Sequence, residues 1–445
     1  MNHRIQSGVV AGFVLLCILL GGSGQGVWTN ISLQLAGIAL IGLAATAASR
    51  AGGGGRVSLL HLILILALLL VLLQLIPLPA GVWTSLPGRA AIAHGFELLG
   101  YPLVPMPVSE TPYASVLALF AAIPALAALV ATGRLSPSPR AIALGIVAGM
   151  VAGIFVGALQ VAGGPDAWAY FYPIHNAGAV GFFANHNHMA TILLIGIPMT
   201  AALMVSATSK RRSSAVTRYG LGAAVFLLTL VGIVLTGSRA ALALSLPVIL
   251  ASATMFPLAS RWRGLALAVS VIALLGAVVL VVSDPISASA DESSSSRPEI
   301  WRTAAKAIED SFPVGTGLGS FESVYHRYED SGSVSRQYIN HAHNDYLESA
   351  LELGAAGVIL IAAFLLWWTV TAVRIWMSPV STPFARAATI ATAAVLVHSA
   401  VDFPLRTAAI SAIFGACVAL MGQHLRPAVT KRDDKTRPTR HVSLG

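Results

Sequence analysis

A histidine, an asparagine and three carboxylates lie close together where a long polar segment of this apolar chain meets a hydrophobic run. The run begins His343-Asn344-Asp345 and carries further carboxylates at Glu348 and Glu352. Asn344 or Asp345 suits the start of a helix, and the acids at 345 and 348 favour its positive end. A neutral imidazole at His343 could take a proton from a hydroxyl, which is general-base chemistry. Ionisable groups this close to a hydrophobic span are costly, so they mark a candidate functional site.

The composition indicates that these residues are carried by a helical membrane protein. Of the 445 residues, 56% are hydrophobic and only 10% are charged, whereas soluble proteins carry about 25% charged residues. Apolar runs of membrane-spanning length recur from end to end, so we predict an all-α polytopic membrane protein with about twelve transmembrane helices. The predicted spans are approximately 6–22, 31–49, 57–76, 112–132, 139–162, 187–207, 217–236, 239–257, 263–282, 345–373, 385–401 and 405–423.

The distribution of Lys and Arg predicts the orientation of these spans. With the N-terminus inside, 19 of the 27 basic residues fall on the inner side, as cytoplasmic loops require. Both termini are then cytoplasmic, and residues 283–344 form a large outer loop between helices nine and ten. We divide the chain into 1–180, with helices one to five, 181–425, with the candidate chemistry, and 426–445, a basic cytoplasmic tail. The basic residues are scattered between spans, so no nucleic-acid partner is expected.

Three arginines predicted on the outer side could bind an anionic group. Arg239 follows Gly237-Ser238 in a very short connection between two spans, and a guanidinium there could hold a phosphate by two hydrogen bonds. Arg297 opens a segment in which Pro298 and spaced apolar residues suggest an amphipathic surface helix. Arg302 follows on the same segment. Taken alone, Arg239 is more consistent with a snorkelling side chain and Arg297 with a solvated one.

The remaining polar patterns are less specific. His186 and His188 open the sixth span, with Asn187 as a possible cap, and His186 is a candidate to line a substrate site. Two histidines with no nearby carboxylate or cysteine are too few for a metal site, so none is predicted. Asp402 lies in a short outer hairpin, where it could pair with His398 or Arg406.

A glycine-rich stretch in the outer loop, 315–319, looks at first like a phosphate-binding loop. It lacks the Gly-Lys-Ser/Thr ending and a preceding strand, and it lies on the outer face, away from nucleotides. We therefore predict a turn there.

Taken together, these residues resemble the O-antigen ligase and polymerase superfamily, bacterial inner-membrane enzymes of the glycosyltransferase-C type. The ligase signature is His, then Asn, Ser or Gln, nine residues, Gly, two residues, then Gly, Thr or Tyr. Here it reads His343, Asn344, Gly354 and Gly357. The resemblance covers roughly 180–420 and includes the Arg239 hairpin, the start of the large loop at Arg297 and the hairpin at Asp402-Phe403-Pro404-Leu405.

The resemblance implies roles for these residues. His343 would activate or position the acceptor hydroxyl, while Arg239 and Arg297 would hold the diphosphate of an undecaprenyl-diphosphate-linked glycan donor. Arg302 competes with Arg297 for its role. The transfer would be inverting, with no metal and no cofactor, at the periplasmic face of the inner membrane. Gly354 and Gly357 are expected to let a neighbouring helix approach closely.

Several functions remain open at this point. Within glycan transfer, the acceptor could be lipid A–core, which the signature favours, a second glycan repeat unit in a polymerase, or a protein. From a different class, a polytopic transporter or lipid-linked glycan flippase would have a similar number of helices. A transporter is expected to show two related halves with charges at mid-membrane, whereas here the polar residues gather at one face.

Overall fold

The chain folds almost entirely into α-helices. The computed structural model describes residues 2–24, 28–50, 58–172, 178–206, 212–257, 260–282, 297–330, 332 and 338–424. The predicted cytoplasmic tail 426–445 and residues 283–296 of the large loop lie outside these ranges. The helices are α1 (His3–Leu20), α2 (Trp28–Arg50), α3 (Leu59–Gln74), α4 (Ala80–Trp83), α5 (Ala90–Leu98), α6 (Pro112–Ala121), α7 (Ile123–Leu135), α8 (Pro139–Gly163), α9 (His186–Ser206), α10 (Arg212–Thr236), α11 (Arg239–Ala253), α12 (Ser260–Val282), α13 (Arg297–Ser311), α14 (Phe321–Tyr328), α15 (Asp345–Met377), α16 (Pro383–His398) and α17 (Ala408–His424).

Seven segments of the described chain are long and apolar enough to cross a membrane, and five shorter apolar helices accompany them. An all-α membrane protein is therefore confirmed, and every predicted span coincides with an apolar helical segment. The number of membrane crossings stays a prediction, because length and composition alone do not fix it. The predicted span 112–132 is two abutting helices, α6 and α7, which meet at Ala122 just before Pro124.

The segments predicted to lie on the outer side also contain secondary structure that hydropathy does not reveal. Residues 77–111, expected as a loop, hold α4, α5 and a small antiparallel sheet of β1 (Pro77–Leu78) and β2 (Met106–Pro107). Within the large loop, α13 (Arg297–Ser311) is the predicted amphipathic helix. Its apolar face, with Ile300, Ala304 and Ala307, is buried against α14 and α15.

Helix α9 lies at the centre of the bundle. Nearly all of its residues are buried, and it packs against α8, α10, α11 and α16. A helix that is apolar on every side must be surrounded by other helices or lipid, and here it is surrounded mainly by helices. The N-terminal end of α9 is thereby fixed beside the C-terminal end of α16, where the candidate site lies.

Helix α15 is interrupted at Gly354, which separates a short first segment, 345–353, from the long membrane segment. Gly354 has φ 60° and ψ −153°, a conformation that is essentially restricted to glycine. A Cβ at this position would lie 2.2 Å from the Pro313 carbonyl oxygen. The interruption therefore depends on the glycine and on the close approach of the loop that follows α13.

That loop caps the carbonyl groups freed by the interruption. The N–H of Thr316 donates to the Leu351 carbonyl at 3.0 Å, and that of Gly317 donates to the Glu352 carbonyl at 2.9 Å. Gln74 at the end of α3 also donates to the Glu352 carbonyl, at 2.9 Å. The glycine-rich stretch is thus a turn, as predicted, whose backbone holds the first segment of α15 in place.

The expected role of Gly354 in helix packing is wrong, and that of Gly357 stays a prediction. Gly354 accommodates a loop backbone rather than a neighbouring helix. The atoms nearest to a Cβ at Gly357 belong to Leu353, in the preceding turn of the same helix. The expectation assumed an unbroken helix, because the sequence does not show that residues 313–317 dock at the break.

Candidate functional site

The first segment of α15 starts from an asparagine cap. The Asn344 side chain accepts hydrogen bonds from the N–H groups of Tyr346 and Leu347, both at 3.0 Å. This satisfies two of the donors that a helix start leaves unpaired. His343, immediately before the cap, has φ 48°, a left-handed conformation that is uncommon outside glycine. The chain therefore turns sharply at His343, immediately before the helix begins.

His343 is joined to Asp402, which is 59 residues further along the chain. The His343 Nδ1 lies 3.2 Å from Asp402 Oδ1, and the His343 side chain remains 30% exposed while that of Asp402 is 1% exposed. Burial on its own raises the pKa of the Asp402 carboxyl, but the hydrogen bond with His343 and the neighbouring histidines hold that pKa below its usual range. Asp402 is thus a buried partner, with a lowered carboxyl pKa, for a histidine whose side chain is partly open to solvent.

The hairpin between α16 and α17 also gathers three histidines around one aromatic ring. Ring centroids of His341, His343 and His188 lie 4.1, 5.0 and 4.9 Å from that of Phe403. The rings of His343 and His188 meet Phe403 edge to face, an arrangement that fixes ring orientation. Phe403 therefore packs the imidazoles on either side of Asp402.

A buried cluster of charges supports the same segment. Arg406 Nη2 lies 2.9 Å from Glu352 Oε2 and 3.2 Å from Glu348 Oε1, and Arg406 Nε lies 3.7 Å from Asp345 Oδ1. Burial lowers the pKa of Arg406, but the three carboxylates more than offset this and raise it above its usual range. The expected pairing of Arg406 with Asp402 is wrong, because Arg406 faces the acids of α15.

Glu348 connects this cluster to the residues before the helix. Its carboxylate lies 2.9 Å from His341 Nδ1 and accepts the N–H of Ala342 at 3.1 Å. The indole N–H of Trp301, on α13, donates to the Ala342 carbonyl at 2.9 Å. The segment that leads into His343 is therefore held from both sides, by α15 and by the surface helix.

The candidate arginines differ in their placement. Arg297 at the start of α13 is half-buried and lies within electrostatic reach of His186 and His398. His186 is half-buried and interacts electrostatically with Asp402 and His343. Arg302 is exposed and lies opposite the buried face of α13. The structure thus brings His186 close to the His343–Asp402 pair and Arg297 close to His186 and His398, and it leaves Arg302 at the surface.

Arg239 begins α11 in the predicted hairpin and its side chain is exposed. Ser238 caps the helix through a hydrogen bond from Ala241 at 3.3 Å, and Gly237 adopts φ 69° to make the turn. The N–H of Ala179 donates to the Leu235 carbonyl at 3.2 Å. This hydrogen bond therefore attaches the Arg239 hairpin to the segment that leads into α9 and His186.

The start of α9 differs from the expected one. Asn185, rather than Asn187, caps the helix, since its side chain accepts the N–H of Asn187 at 2.8 Å. His398 bonds through Nδ1 to Thr191 at 2.8 Å, so the expected His398–Asp402 hydrogen bond is wrong. Within the described residues, no group of three or more His, Cys, Asp or Glu side chains could hold a metal ion.

Sequence reasoning missed the parts of the site that depend on long-range contacts. Arg406 and His341 were not assigned to the site, and His188 was considered only for metal binding. The useful signal was the excess of acids at 345, 348 and 352, which requires a buried cation when all three face the protein interior. Arg406, close to Asp402 in the sequence, was the nearest such cation.

These features define a polytopic helical membrane protein with a polar site where helix ends meet at one face. Residues 224–362 match the family model described as O-antigen ligase. The match includes Arg239, Arg297 and the whole signature from His343 to Gly357, so the resemblance to the O-antigen ligase and polymerase superfamily is confirmed for this segment. No curated protein matches the chain. The family match supports glycan transfer of the O-antigen ligase type.

Proposed function

We propose that the protein transfers a glycan from an undecaprenyl-diphosphate carrier to an acceptor hydroxyl at the periplasmic face of the bacterial inner membrane. The acceptor that we favour is lipid A–core, which makes the reaction O-antigen ligation. The observation that carries this proposal is the pairing of the signature histidine with a buried carboxylate, His343 Nδ1 to Asp402 Oδ1 at 3.2 Å. Together with the family match, which covers His343 but not Asp402, this arrangement supports His343 as the group that receives the acceptor proton.

The pairing decides which nitrogen of His343 can act. When Nδ1–H donates to Asp402, the lone pair of the neutral ring lies on Nε2. Nε2 can then take the proton of an acceptor hydroxyl as that oxygen attacks the anomeric carbon. Asp402 holds the ring in this tautomer and stabilises the imidazolium that forms, as the carboxylate of a catalytic triad does. The bond from the anomeric carbon to the diphosphate oxygen breaks, and the diphosphate leaves on its lipid carrier.

The leaving diphosphate needs positive charge that is already in place. Arg297, within electrostatic reach of His186 and His398, and Arg239, at the start of α11, are the residues that we assign to it. Fixed cations directed at developing negative charge lower a barrier effectively in a site that partly excludes water. His186, beside Arg297, would line the same site. Asn344, Gly354 and Gly357 support it by shaping the first segments of α15.

An apolar groove suits the lipid part of such a donor. It lies between α11, α12, α15 and α16, encloses about 200 Å³ and extends from Ala251 to Leu244 on α11 and from Thr389 to Val397 on α16. Its outer end at Val397 adjoins His398, at the end of α16 where the polar site begins. An isoprenoid chain in this groove would place its diphosphate at the level of the polar site.

The test is reconstitution of the purified protein in lipid vesicles with an undecaprenyl-diphosphate-linked repeat unit, with and without lipid A–core, followed by gel analysis of the glycan. Product that requires lipid A–core supports ligation. A ladder that grows on the carrier without it would identify a polymerase joining repeat units instead. His343→Ala should abolish product, whereas the matched control His94→Ala, at an exposed histidine, should not. Absence of any product with either acceptor would contradict the proposal and favour a transporter or flippase.

A further inference from the structure

Asp402 has a second neighbour among the histidines that the proposed reaction does not use. His188, near the start of α9, directs its Nε2 at Asp402 Oδ2 at 3.9 Å. Both side chains are almost completely buried, at 3% and 1% exposure. Neither His188 Nε2 nor Asp402 Oδ2 has a hydrogen-bond partner in the described part of the chain. Two unpaired and complementary polar atoms therefore face each other inside the protein.

This arrangement is costly unless the two atoms meet. A buried polar atom without a partner loses its hydration and gains nothing in return. Shortening the separation by about 1 Å would bring it to ordinary hydrogen-bond distance and satisfy both atoms. Hydrogen bonds between catalytic groups are often long in the resting protein and tighten when substrate binds. The edge of the His188 ring rests on Phe403, so its path toward Asp402 is guided by packing.

The geometry points to His188 as a positioning residue that donates a hydrogen bond from Nε2–H to Asp402 Oδ2 in the reacting state. Asp402 is then held by two histidines on its two oxygens, His343 on Oδ1 and His188 on Oδ2. This inference rests on the proposed function, in which His343 receives the acceptor proton. His188 acts through Asp402 and does not touch the substrate.

The shared carboxylate links His188 to the pH dependence of transfer. When His188 donates a hydrogen bond to Asp402, that bond partly neutralises the negative charge of the carboxylate. Asp402 then stabilises the protonated form of His343 less strongly. Removing the donor leaves the whole charge to His343, so transfer should require a higher pH. The titratable groups around His188 are Asp402, His398, His341 and His343.

The matched control among these groups is His398. It is also fully buried, but its Nδ1 is bonded to Thr191. Its side chain interacts with Asp402 only electrostatically. The hydrogen bond between the two residues is through the backbone, where the Asp402 N–H donates to the His398 carbonyl at 3.0 Å, and a side-chain substitution leaves that bond in place.

The experiment compares pH–rate profiles of glycan transfer for reconstituted wild-type protein, His188→Phe, His188→Gln and His398→Phe. We expect His188→Phe to lower kcat about tenfold and to leave the KM for the donor unchanged. The acid limb of the profile, where the rate falls as the pH is lowered, should move up by about one pH unit. This shift corresponds to the loss of one hydrogen bond to a charged group. His188→Gln retains a donor and should restore the acid limb. His398→Phe should leave the acid limb where it is in the wild type.

A double-mutant cycle with Asp402→Asn tests whether His188 acts through the carboxylate. If it does, adding His188→Phe to Asp402→Asn has little further effect on the rate. Rate losses that multiply in the double variant, or an acid limb that His188→Phe does not move, would overturn the inference. These outcomes leave wild-type transfer intact, so they are distinct from failure of the proposed function, in which the wild type itself forms no product.

Discussion

Replacing Arg406 tests how the charged cluster holds the first segment of α15. Arg406 is the cation that contacts Asp345, Glu348 and Glu352 at 3.7, 3.2 and 2.9 Å. Glu348 and Glu352 are at most 1% exposed, so solvent cannot replace the lost charge. Breaking a buried ion pair by removing one partner costs about 3–5 kcal/mol. We expect Arg406→Met to lower the free energy of unfolding by about this amount, a large part of the ~5–15 kcal/mol of a typical domain.

The same variant should also lose activity, because Arg406 connects the hairpin that carries Asp402 to the helix segment that follows His343. The assay is thermal unfolding of the detergent-solubilised protein, together with glycan transfer after reconstitution. The triple variant Arg406→Met, Glu348→Gln, Glu352→Gln also removes the charges of the two most buried of the three carboxylates, and it should recover most of the stability. Arg406→Met with stability within about 1 kcal/mol of wild type, or a triple variant no more stable than the single one, would refute this account of the cluster.

Three further predictions concern neighbouring features. Gly354→Ala places a Cβ 2.2 Å from the Pro313 carbonyl oxygen, in a backbone conformation that costs other residues about 1–3 kcal/mol. We therefore expect a lower melting temperature and impaired glycan transfer. A fully stable and active variant would contradict the close contact. Asn344→Ala removes a helix cap and should destabilise the protein by about 1 kcal/mol, measured by thermal unfolding. The control is Asn2→Ala, which removes the exposed cap of α1. An equal loss of stability in the two variants would show that the Asn344 cap contributes no more than an exposed one. The resemblance to the O-antigen ligase family implies transfer without a metal, so transfer should persist after dialysis against a chelator. Inactivation that added Mg²⁺ or Zn²⁺ reverses would contradict this expectation.

The helical spans could be predicted from the sequence because hydropathy is a local property. Each apolar run predicted as a span coincides with helix in the structure. The interruption of α15 was not predictable, because it depends on Gly354 meeting a loop that precedes it by about 40 residues in the chain. The small sheet between Pro77 and Pro107 was not predictable either. Its two strands are about 30 residues apart in the chain, and each has only two residues, too few for a recognisable pattern.

The candidate site was predictable as a set of residues but only partly as a set of contacts. His343, Asp402, Arg297 and His186 were named from the sequence, and the structure places them in one region. Their pairing was not specified, because contacts between the start of α15, the start of α9 and the hairpin after α16 depend on how the bundle packs. Asp402 was expected to pair with His398 or Arg406, yet its partner is His343.

The central claim is that His343, oriented by Asp402, receives the acceptor proton. The most direct measurement is the single-turnover rate of glycan transfer by reconstituted wild-type protein, His343→Gln and Asp402→Asn, at saturating donor and acceptor. The account predicts that His343→Gln slows transfer by about 10²–10⁴-fold, the usual contribution of a general base, with Asp402→Asn slowed less and donor binding little changed. Transfer by His343→Gln within about tenfold of wild type, well below that range, would contradict the account.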